Sequence, residues 1–234
     1  MKVTWLGQAG LLFETEGTTI IVDPYLSNSV ERIEPRNKRR VAVDETFFKC
    51  KPDMIVLTHD HLDHTDPDTL RHYLTVEDEV CVDAPNTGKE VCVLASGNAW
   101  QTVRKFGGSH NYVQFNRGTQ WTEHGIRFTA VKAEHSDSCA IGVVMEAEGK
   151  TYYITGDTLY HEGIFGDLPE RIDYVFLPVN GRGNNMNFAD GKRFCERLGA
   201  KAVPMHCGLF DGLDMHQFAY ENKVVPAFYQ EIQL

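Results

Sequence analysis

The alternation of apolar and polar residues along the chain predicts many short strands and a few helices. Runs in which every residue or every second residue is apolar are typical of strands. They lie at 2–6, 11–15, 18–23, 53–58, 79–83, 112–115, 126–133, 140–147, 151–155, 173–178 and 201–205. Helical spacing is found at 66–75, 86–95, 98–106, 189–198 and 215–223. The periodicity alone predicts a mixed α/β domain. Because strands come first in each half and helices follow, it also suggests two packed β-sheets with helices outside.

Length and composition predict one globular domain over residues 1–234. Hydrophobic residues make up 42% of the chain and charged residues 24%, an ordinary balance for such a domain. No apolar run approaches the ~18 residues of a membrane span. A strand-like pattern that starts at Lys2 leaves no room for a signal peptide. The six cysteines show no paired spacing, so we expect reduced thiols and a cytoplasmic location.

The net charge of −10 argues against a nucleic-acid surface, because binding to phosphates requires a basic face. One basic cluster lies at 36–40. Such a run is usually a solvated loop. The alternative is a lip that attracts an anionic substrate or meets another subunit, so a homo-oligomer stays open. The partner that we expect is a small, anionic molecule.

The segment 58–64 is the densest cluster of coordinating groups in the chain. It reads Thr-His-Asp-His-Leu-Asp-His and follows the apolar run 54–57. A lone histidine is usually structural, but imidazoles and carboxylates crowded onto one strand end are typical ligands of zinc, manganese or iron. His59 and His61 point the same way in an extended segment, so one ion can take both. Asp63 and His64 follow a turn and can reach a second ion.

Three further candidate ligands each follow a predicted strand. His135 comes after 126–133, Asp157 after 151–155 and His206 after 201–205. In open α/β sheets, ligands gather outside the carboxyl ends of the strands. Each of these residues alone would more often be structural. Their agreement in position predicts that they join the segment 58–64 in one metal site.

Together these seven positions match the signature of the metallo-β-lactamase superfamily of metal-dependent hydrolases, which is H-x-H-x-D-H followed by a spaced His, Asp and His. The chain resembles that superfamily over nearly its whole length. The segments 4–10, 21–24 and 176–184 also resemble the L-ascorbate 6-phosphate lactonase-like branch. The resemblance implies a four-layer αββα sandwich with two related halves and a metal site along one edge of the sheets.

The resemblance also implies how the ligands divide between two divalent ions. The set is His59, His61 and His135 for the first ion, Asp63, His64 and His206 for the second, and Asp157 as the bridge. Two such ions about 3.5–4 Å apart share a hydroxide that attacks a carbonyl or phosphoryl centre. General ligand chemistry favours zinc, the lactonase resemblance favours manganese, and iron stays open.

The two carboxylates of the segment 58–64 are the candidate catalytic residues. Asp63 is a ligand that can also protonate the leaving alkoxide. Asp60 lies between two ligands and should point away from the ions, which favours orientation of a ligand over action as an acid. Asp23 is a further candidate for orienting a ligand, although a turn role before Pro24 is nearly as common.

Substrate contacts are predicted on the loop 180–187, which is rich in glycine and asparagine. Arg182 offers a fork suited to phosphate or carboxylate, and Asn184 lies beside it. His161, four residues after Asp157, is another candidate. The sequence therefore predicts a hydrolase of the lactonase or esterase type that acts on a small anionic ester or lactone, for example a sugar-acid phosphate lactone. The alternatives are a phosphodiesterase for a small or lipid-derived substrate and a non-catalytic metal-binding protein of the same fold.

Overall fold

A computed structural model describes residues 1–15, 17–74 and 89–234. Within these residues, twelve strands form two sheets of six strands each, with neighbouring strands in chain order. The first sheet contains β1 (Lys2–Gly7), β2 (Gly10–Thr15), β3 (Thr18–Val22), β4 (Met54–Leu57), β5 (Cys92–Ala95) and β6 (Asn111–Gln114). The second contains β7 (Gln120–Glu123), β8 (Ile126–Lys132), β9 (Ile141–Ala147), β10 (Lys150–Ile154), β11 (Tyr174–Pro178) and β12 (Lys201–Met205).

The described helices are short, with one exception. They are α1 (Ser29–Ile33), α2 (Pro67–Leu70), α3 (Gly97–Val103) and α4 (Phe188–Leu198). Single 3-10 turns lie at Pro35–Asn37, Glu45–Lys49, Arg104–Phe106, Glu162–Ile164 and Met215–Gln217. Helix α4 is the longest because both ends are capped. Asn187 accepts two backbone N–H groups at its start, and Gly199 ends it in the left-handed conformation at φ 67°.

The prediction of a mixed α/β fold with two packed sheets is confirmed, but several elements differ from their predicted form. The helix predicted at 86–95 is wrong where it is described, because Cys92–Ala95 forms β5 between β4 and β6. A short apolar run fits either structure locally, and pairing with two neighbouring strands decides between them. The strand predicted at 79–83 and residues 86–88 of that helix lie outside the described residues.

Three other predicted helices differ from the structure. The helix at 66–75 reduces to α2, although residue 75 itself lies outside the described residues. The helix at 98–106 is α3 followed by a 3-10 turn. The helix predicted at 215–223 is wrong, since only the turn Met215–Gln217 forms there. Strand β7 and helix α1 were not predicted, because both are short and only partly buried.

The four layers follow from the alternation of side chains along the strands. In β4, Ile55 belongs to an apolar cluster with Leu70 of α2 and Val103 of α3, on the outer face of the first sheet. Val56 points to the opposite face and belongs to the cluster shared with the second sheet. A central strand that is buried on both faces is therefore apolar at every position.

The second sheet packs between the first sheet and helix α4. The rings of Phe13 in β2 and Phe176 in β11 are 5.6 Å apart and meet edge to face. On the other side of this sheet, the Tyr153 ring of β10 lies 6.3 Å from Phe194 of α4. The order of layers is therefore helix, sheet, sheet, helix, as in the αββα sandwich that the resemblance implies.

Candidate metal centre

All seven predicted ligands lie just beyond the carboxyl ends of strands. His59, His61, Asp63 and His64 follow β4, while His135 follows β8, Asp157 follows β10 and His206 follows β12. Strand β4 is parallel to β3, and β10, β11 and β12 are parallel to one another. Parallel strands end at the same edge of a sheet, so each sheet delivers its ligands to one edge.

The backbone around this edge is unusual. Four of the seven non-glycine residues with positive φ in the described chain lie here: Gln8, Asp23, Asn184 and His206. Left-handed backbone costs a non-glycine residue roughly 1–2 kcal/mol. Such strain persists only where the surrounding structure holds it, and it is concentrated at functional sites. Gly156, just before Asp157, also has positive φ, and a Cβ there would lie only 2.7 Å from the Ile141 carbonyl oxygen.

The first cluster of ligands contains three imidazoles. The coordinating atoms of His59, His61 and His135 all lie within 4.8 Å of one another. His61 Nδ1 and His135 Nε2 are 3.2 Å apart. The His59 ring centroid lies 4.6 Å from that of His61 and 4.7 Å from that of His135. This spacing allows one ion to take a nitrogen from each ring.

The second cluster combines carboxylates and imidazoles. His64 Nε2 lies 3.2 Å from His206 Nε2 and 3.3 Å from Asp157 Oδ1. His206 Nε2 lies 3.2 Å from the same Asp157 oxygen and 3.4 Å from Asp63 Oδ2. These four atoms converge on one point. The two clusters are adjacent, because the rings of His59 and His64 are 4.0 Å apart.

Two buried atoms test whether the site suits metal ions. His59 Nε2 and Asp157 Oδ1 are buried and have no hydrogen-bond partner, the latter making only charge contacts with the nearby imidazoles. An unsatisfied buried polar atom is costly. A divalent ion beside each atom would satisfy it. The mixed nitrogen and oxygen donors suit zinc, manganese and iron, so the residues fit a metal centre.

The electrostatics of the two clusters differ. Burial lowers the pKa of His59 well below its usual value, and the neighbouring imidazoles act in the same direction. Burial would also lower the pKa of His206, but the carboxylates of Asp157 and Asp63 raise it to about 9. They likewise hold the pKa of His64 well above its usual value. A divalent ion that binds at the second cluster would therefore displace protons from the imidazoles of His64 and His206.

Asp23 contacts His64, one of the predicted ligands. Its carboxylate is fully buried and accepts hydrogen bonds from the Thr58 backbone N–H at 2.8 Å and the Thr58 hydroxyl at 2.6 Å. Its Oδ2 lies 2.9 Å from His64 Nδ1. This contact occupies one ring nitrogen and turns Nε2 toward the second cluster. Such carboxylate–histidine pairs fix the ring and its tautomer.

Three amide side chains that the sequence did not single out individually also contact the second cluster. Gln8 Nε2 donates to Asp63 Oδ2 at 2.7 Å and lies 3.1 Å from His206 Nε2. Asn185 Nδ2 donates to Asp157 Oδ2 at 2.8 Å. The Asn180 amide lies 3.0 Å from His206 Nδ1. Gln8 directly follows β1, and Asn180 is the second residue after β11, so the strand-end argument that predicted the ligands also applies to them.

The loop 180–187 contributes to both clusters. The Asn184 carbonyl oxygen lies 3.3 Å from His135 Nδ1, which leaves Nε2 of that ring for the first cluster. Asn184 thus contacts His135, a predicted metal ligand, through its backbone. That Asn184 also binds substrate stays a prediction. Arg182 is exposed and lines the cleft above the clusters.

Asp60 and His161 lie farther from the centre of the site. Asp60 lines the cleft, belongs to neither cluster, and its backbone N–H donates to Asp137 Oδ2 at 3.0 Å. Burial and the charge of Asp137 raise the pKa of the Asp60 carboxyl. His161 is not among the residues that line the cleft, and its Nδ1 accepts a hydrogen bond from the Gly163 N–H at 2.9 Å.

Four of the seven predicted ligands line an open cleft of about 460 Å³. That volume is typical of a site for one small molecule. These ligands are His61, Asp63, Asp157 and His206, and Arg182 and Asn180 line the cleft as well. The arrangement can therefore place one reacting bond of a small molecule directly over both clusters.

No helix within the described ranges has the length and apolar character of a membrane span.

Comparison with known proteins gives a match of residues 2–206 to the beta-lactamase superfamily domain. A UPF0173 metal-dependent hydrolase of Geobacillus sp. (strain WCH70) is 32% identical, with 93% of this chain and 91% of the relative covered.

Two solved structures have similar folds. Igni18, a metallo hydrolase from Ignicoccus hospitalis KIN4/I, has a TM-score of 0.72 and 20% identity, covering 98% of this chain and 96% of its own. An isothiocyanate hydrolase from Delia radicum gut bacteria has a TM-score of 0.72 and 19% identity, covering 99% and 98%. The chain therefore belongs to the metallo-β-lactamase superfamily and, within it, to the UPF0173 family of metal-dependent hydrolases.

Proposed function

We propose that this single-domain protein hydrolyses a small, anionic ester or lactone at a site with two divalent ions. The observation that carries the proposal is the convergence of seven coordinating side chains, four of which line an open cleft, in two adjacent clusters. A single ion with four to six ligands, one of them water, needs fewer protein groups than this.

The residues would share the work as follows. His59, His61 and His135 would hold one ion. Asp63, His64 and His206 would hold the other, and Asp157 would be shared between the two. Two zinc or manganese ions would lower the pKa of a bound water to about 7 and polarise the substrate oxygen. Asp63 lines the cleft and is the group that we assign to carry a proton to the leaving oxygen.

The residues around the ligands would keep them in place. Asp23 orients His64, Gln8 holds Asp63, and Asn185 holds Asp157 through hydrogen bonds of 2.7–2.9 Å. Asp60 would hold the segment between His59 and His61 through its backbone bond to Asp137. Ligands fixed in this way do not have to reorganise during the reaction.

Arg182 would bind the anionic end of the substrate. It is an exposed guanidinium on the cleft wall, and it can grip a carboxylate or phosphate with two parallel hydrogen bonds. The choice of a lactone, for example a sugar-acid phosphate lactone, rests on the sequence resemblance described above. A reducing, cytoplasmic location is supported by the described cysteines, all five of which are free thiols.

A substrate panel on metal-loaded protein tests the function. Protein reloaded with excess Zn²⁺ or Mn²⁺ should contain two ions per chain by elemental analysis. It should hydrolyse lactones that carry a carboxylate or phosphate faster than neutral lactones and faster than bis(p-nitrophenyl) phosphate. Faster cleavage of the phosphodiester would favour the phosphodiesterase alternative, and no turnover of any class would favour a non-catalytic metal-binding protein.

The variant Arg182→Lys tests the substrate charge. It keeps the positive charge but loses the fork, so KM for an anionic lactone should rise about tenfold with kcat nearly unchanged. Hydrolysis of a neutral lactone of similar size should not change. Arg171→Lys, at an exposed arginine away from the cleft, is the matched control. Equal losses on both lactones would assign Arg182 a structural role in its loop.

A further inference from the structure

The cleft has an apolar wall that the metal chemistry does not require. Val30 and Ile33 of α1, together with Leu62 and Phe210, are the apolar side chains that line the cleft. Ile33 is 72% exposed, and the other large hydrophobic residue exposed in the described chain, Leu159, is 39% exposed and lies outside the cleft. Exposed apolar side chains gathered beside a binding site are typical of ligand contacts.

This wall is held in position by buried groups. The Tyr25 hydroxyl accepts a hydrogen bond from the Val30 N–H at 3.2 Å, and the Tyr25 ring meets Phe210 edge to face at 5.6 Å. Arg39 packs over the Tyr25 ring at 5.1 Å and donates to the Tyr25 carbonyl oxygen at 3.0 Å. Tyr25 therefore joins helix α1 to the loop that carries Phe210, so both contribute to one surface.

The same contacts show what part of the basic cluster at 36–40 does. Arg39 is only 8% exposed, and its guanidinium bonds to backbone carbonyl groups and to the Tyr229 hydroxyl. The Arg40 N–H donates to the Leu209 carbonyl oxygen at 2.9 Å. Arg39 is thus a buried support of the apolar wall, so its charge is not available at the surface to attract a substrate.

The charges along the cleft are unevenly placed. Arg182 and Glu34 both line the cleft, and Glu34 directly follows Ile33 of the apolar wall in the chain. Glu34 accepts a hydrogen bond from Asn37 Nδ2 at 2.8 Å and so is kept at that end of the cleft. A negative group on this side would meet like charge, and an uncharged apolar group would not.

We propose that the wall formed by Val30, Ile33, Leu62 and Phe210 binds an apolar arm of the substrate. The substrate would then be an ester or lactone with an alkyl or aryl substituent on one side of the reacting bond and its polar or anionic end on the Arg182 side. This inference rests on the hydrolase function proposed above, and it narrows the substrate to amphiphilic compounds.

Binding of product-like carboxylates tests the inference without any turnover. Straight-chain carboxylates from acetate to octanoate are titrated into the Zn²⁺-loaded protein by isothermal calorimetry. Each methylene that reaches the apolar wall should lower Kd about two- to fourfold. Ile33→Ser should weaken octanoate binding about tenfold and leave acetate binding unchanged.

Two further variants make the result specific. Leu159→Ser removes the comparable exposed side chain outside the cleft and should leave all the Kd values unchanged. Ile33→Met keeps an apolar side chain and should retain the dependence on chain length, which shows that the serine effect does not come from a disturbed helix.

Equal Kd values for acetate and octanoate in the wild type, or an octanoate Kd that is unchanged in Ile33→Ser, would overturn the inference. Failure of the proposed function is seen separately. Chain-length-dependent binding without turnover of any ester, lactone or phosphodiester would defeat the hydrolase proposal and leave the apolar subsite. Turnover without chain-length dependence would defeat the subsite alone.

Discussion

The two clusters of the candidate metal centre differ in the burial of their predicted ligands and in the hydrogen bonds that fix them. In the first, His61 and His135 are only partly buried, and His135 leans on a backbone oxygen of Asn184 at 3.3 Å. In the second, His64 is fully buried against Asp23. Three side-chain amides from two other segments, the residue after β1 and the loop 180–187, contact its remaining ligands. The second cluster therefore has more of its geometry built into the protein.

This difference indicates which of the two clusters is already held in place before a metal ion binds. Both carboxylates of the candidate centre, Asp63 and Asp157, directly contact imidazoles of the second cluster, so the negative charge lies nearest to that cluster. The second cluster also needs less rearrangement on binding, because its side chains are already fixed. We expect the second cluster to bind its ion more tightly and to be more sensitive to changes in residues that are not ligands.

The largest effect is expected from Asp157→Ala, which removes the residue that both clusters share in the proposed site. Both ions should be lost and hydrolysis should fall to background, because a bridging carboxylate makes two bonds. Elemental analysis and turnover of the same sample measure this. Asp157→Asn, which keeps the volume, should lose at least one ion. Two retained ions in Asp157→Ala would exclude the bridging role.

Asp23→Ala should weaken the affinity for the second ion by about 10–100-fold, because outer contacts of a ligating histidine contribute on that scale. The affinity for the first ion should not change. The substitution should also destabilise the metal-free protein by about 1–3 kcal/mol, since buried groups of Thr58 lose their acceptor. Chelator competition and urea unfolding measure the two effects. Equal weakening of both ions would contradict the proposed separation of the clusters.

Gln8→Ala should have a smaller effect, about tenfold on the second ion, since it removes one of several contacts to Asp63 and His206. Gln8 has positive φ at 50°, so backbone strain has to be separated from the loss of the amide. Gln8→Gly provides that control because glycine relieves the strain. If the glycine variant bound metal like the wild type, the amide would have no role in metal binding.

Asp60→Ala should have the smallest effect. Its carboxylate belongs to neither cluster, and the backbone bond from Asp60 to Asp137 survives the substitution. Metal content should equal that of the wild type, and turnover should stay within about tenfold, below the range of a lost general acid. A loss of several hundredfold with both ions present would instead make Asp60 the proton donor.

Much of the fold was predictable because each strand has its own local pattern of apolar residues. The described strands that were predicted have alternating or continuous apolar residues, and that pattern needs no knowledge of neighbours. Cys92–Ala95 is the instructive failure, since a run of four apolar residues is compatible with either structure. Its place between β4 and β6 was decided by pairing with strands distant in the chain.

The sequence by itself determined the kind of chemistry, because imidazoles and carboxylates in H-x-H-x-D-H spacing on a strand end have few other uses. Only the tertiary structure decided what holds them and what shapes the cleft. Gln8 and His206 are 198 residues apart in the chain, and Arg39 reaches Tyr229 across 190 residues. Contacts over such distances leave no local periodicity or spacing in the sequence, because they depend on how the two sheets and their loops pack together.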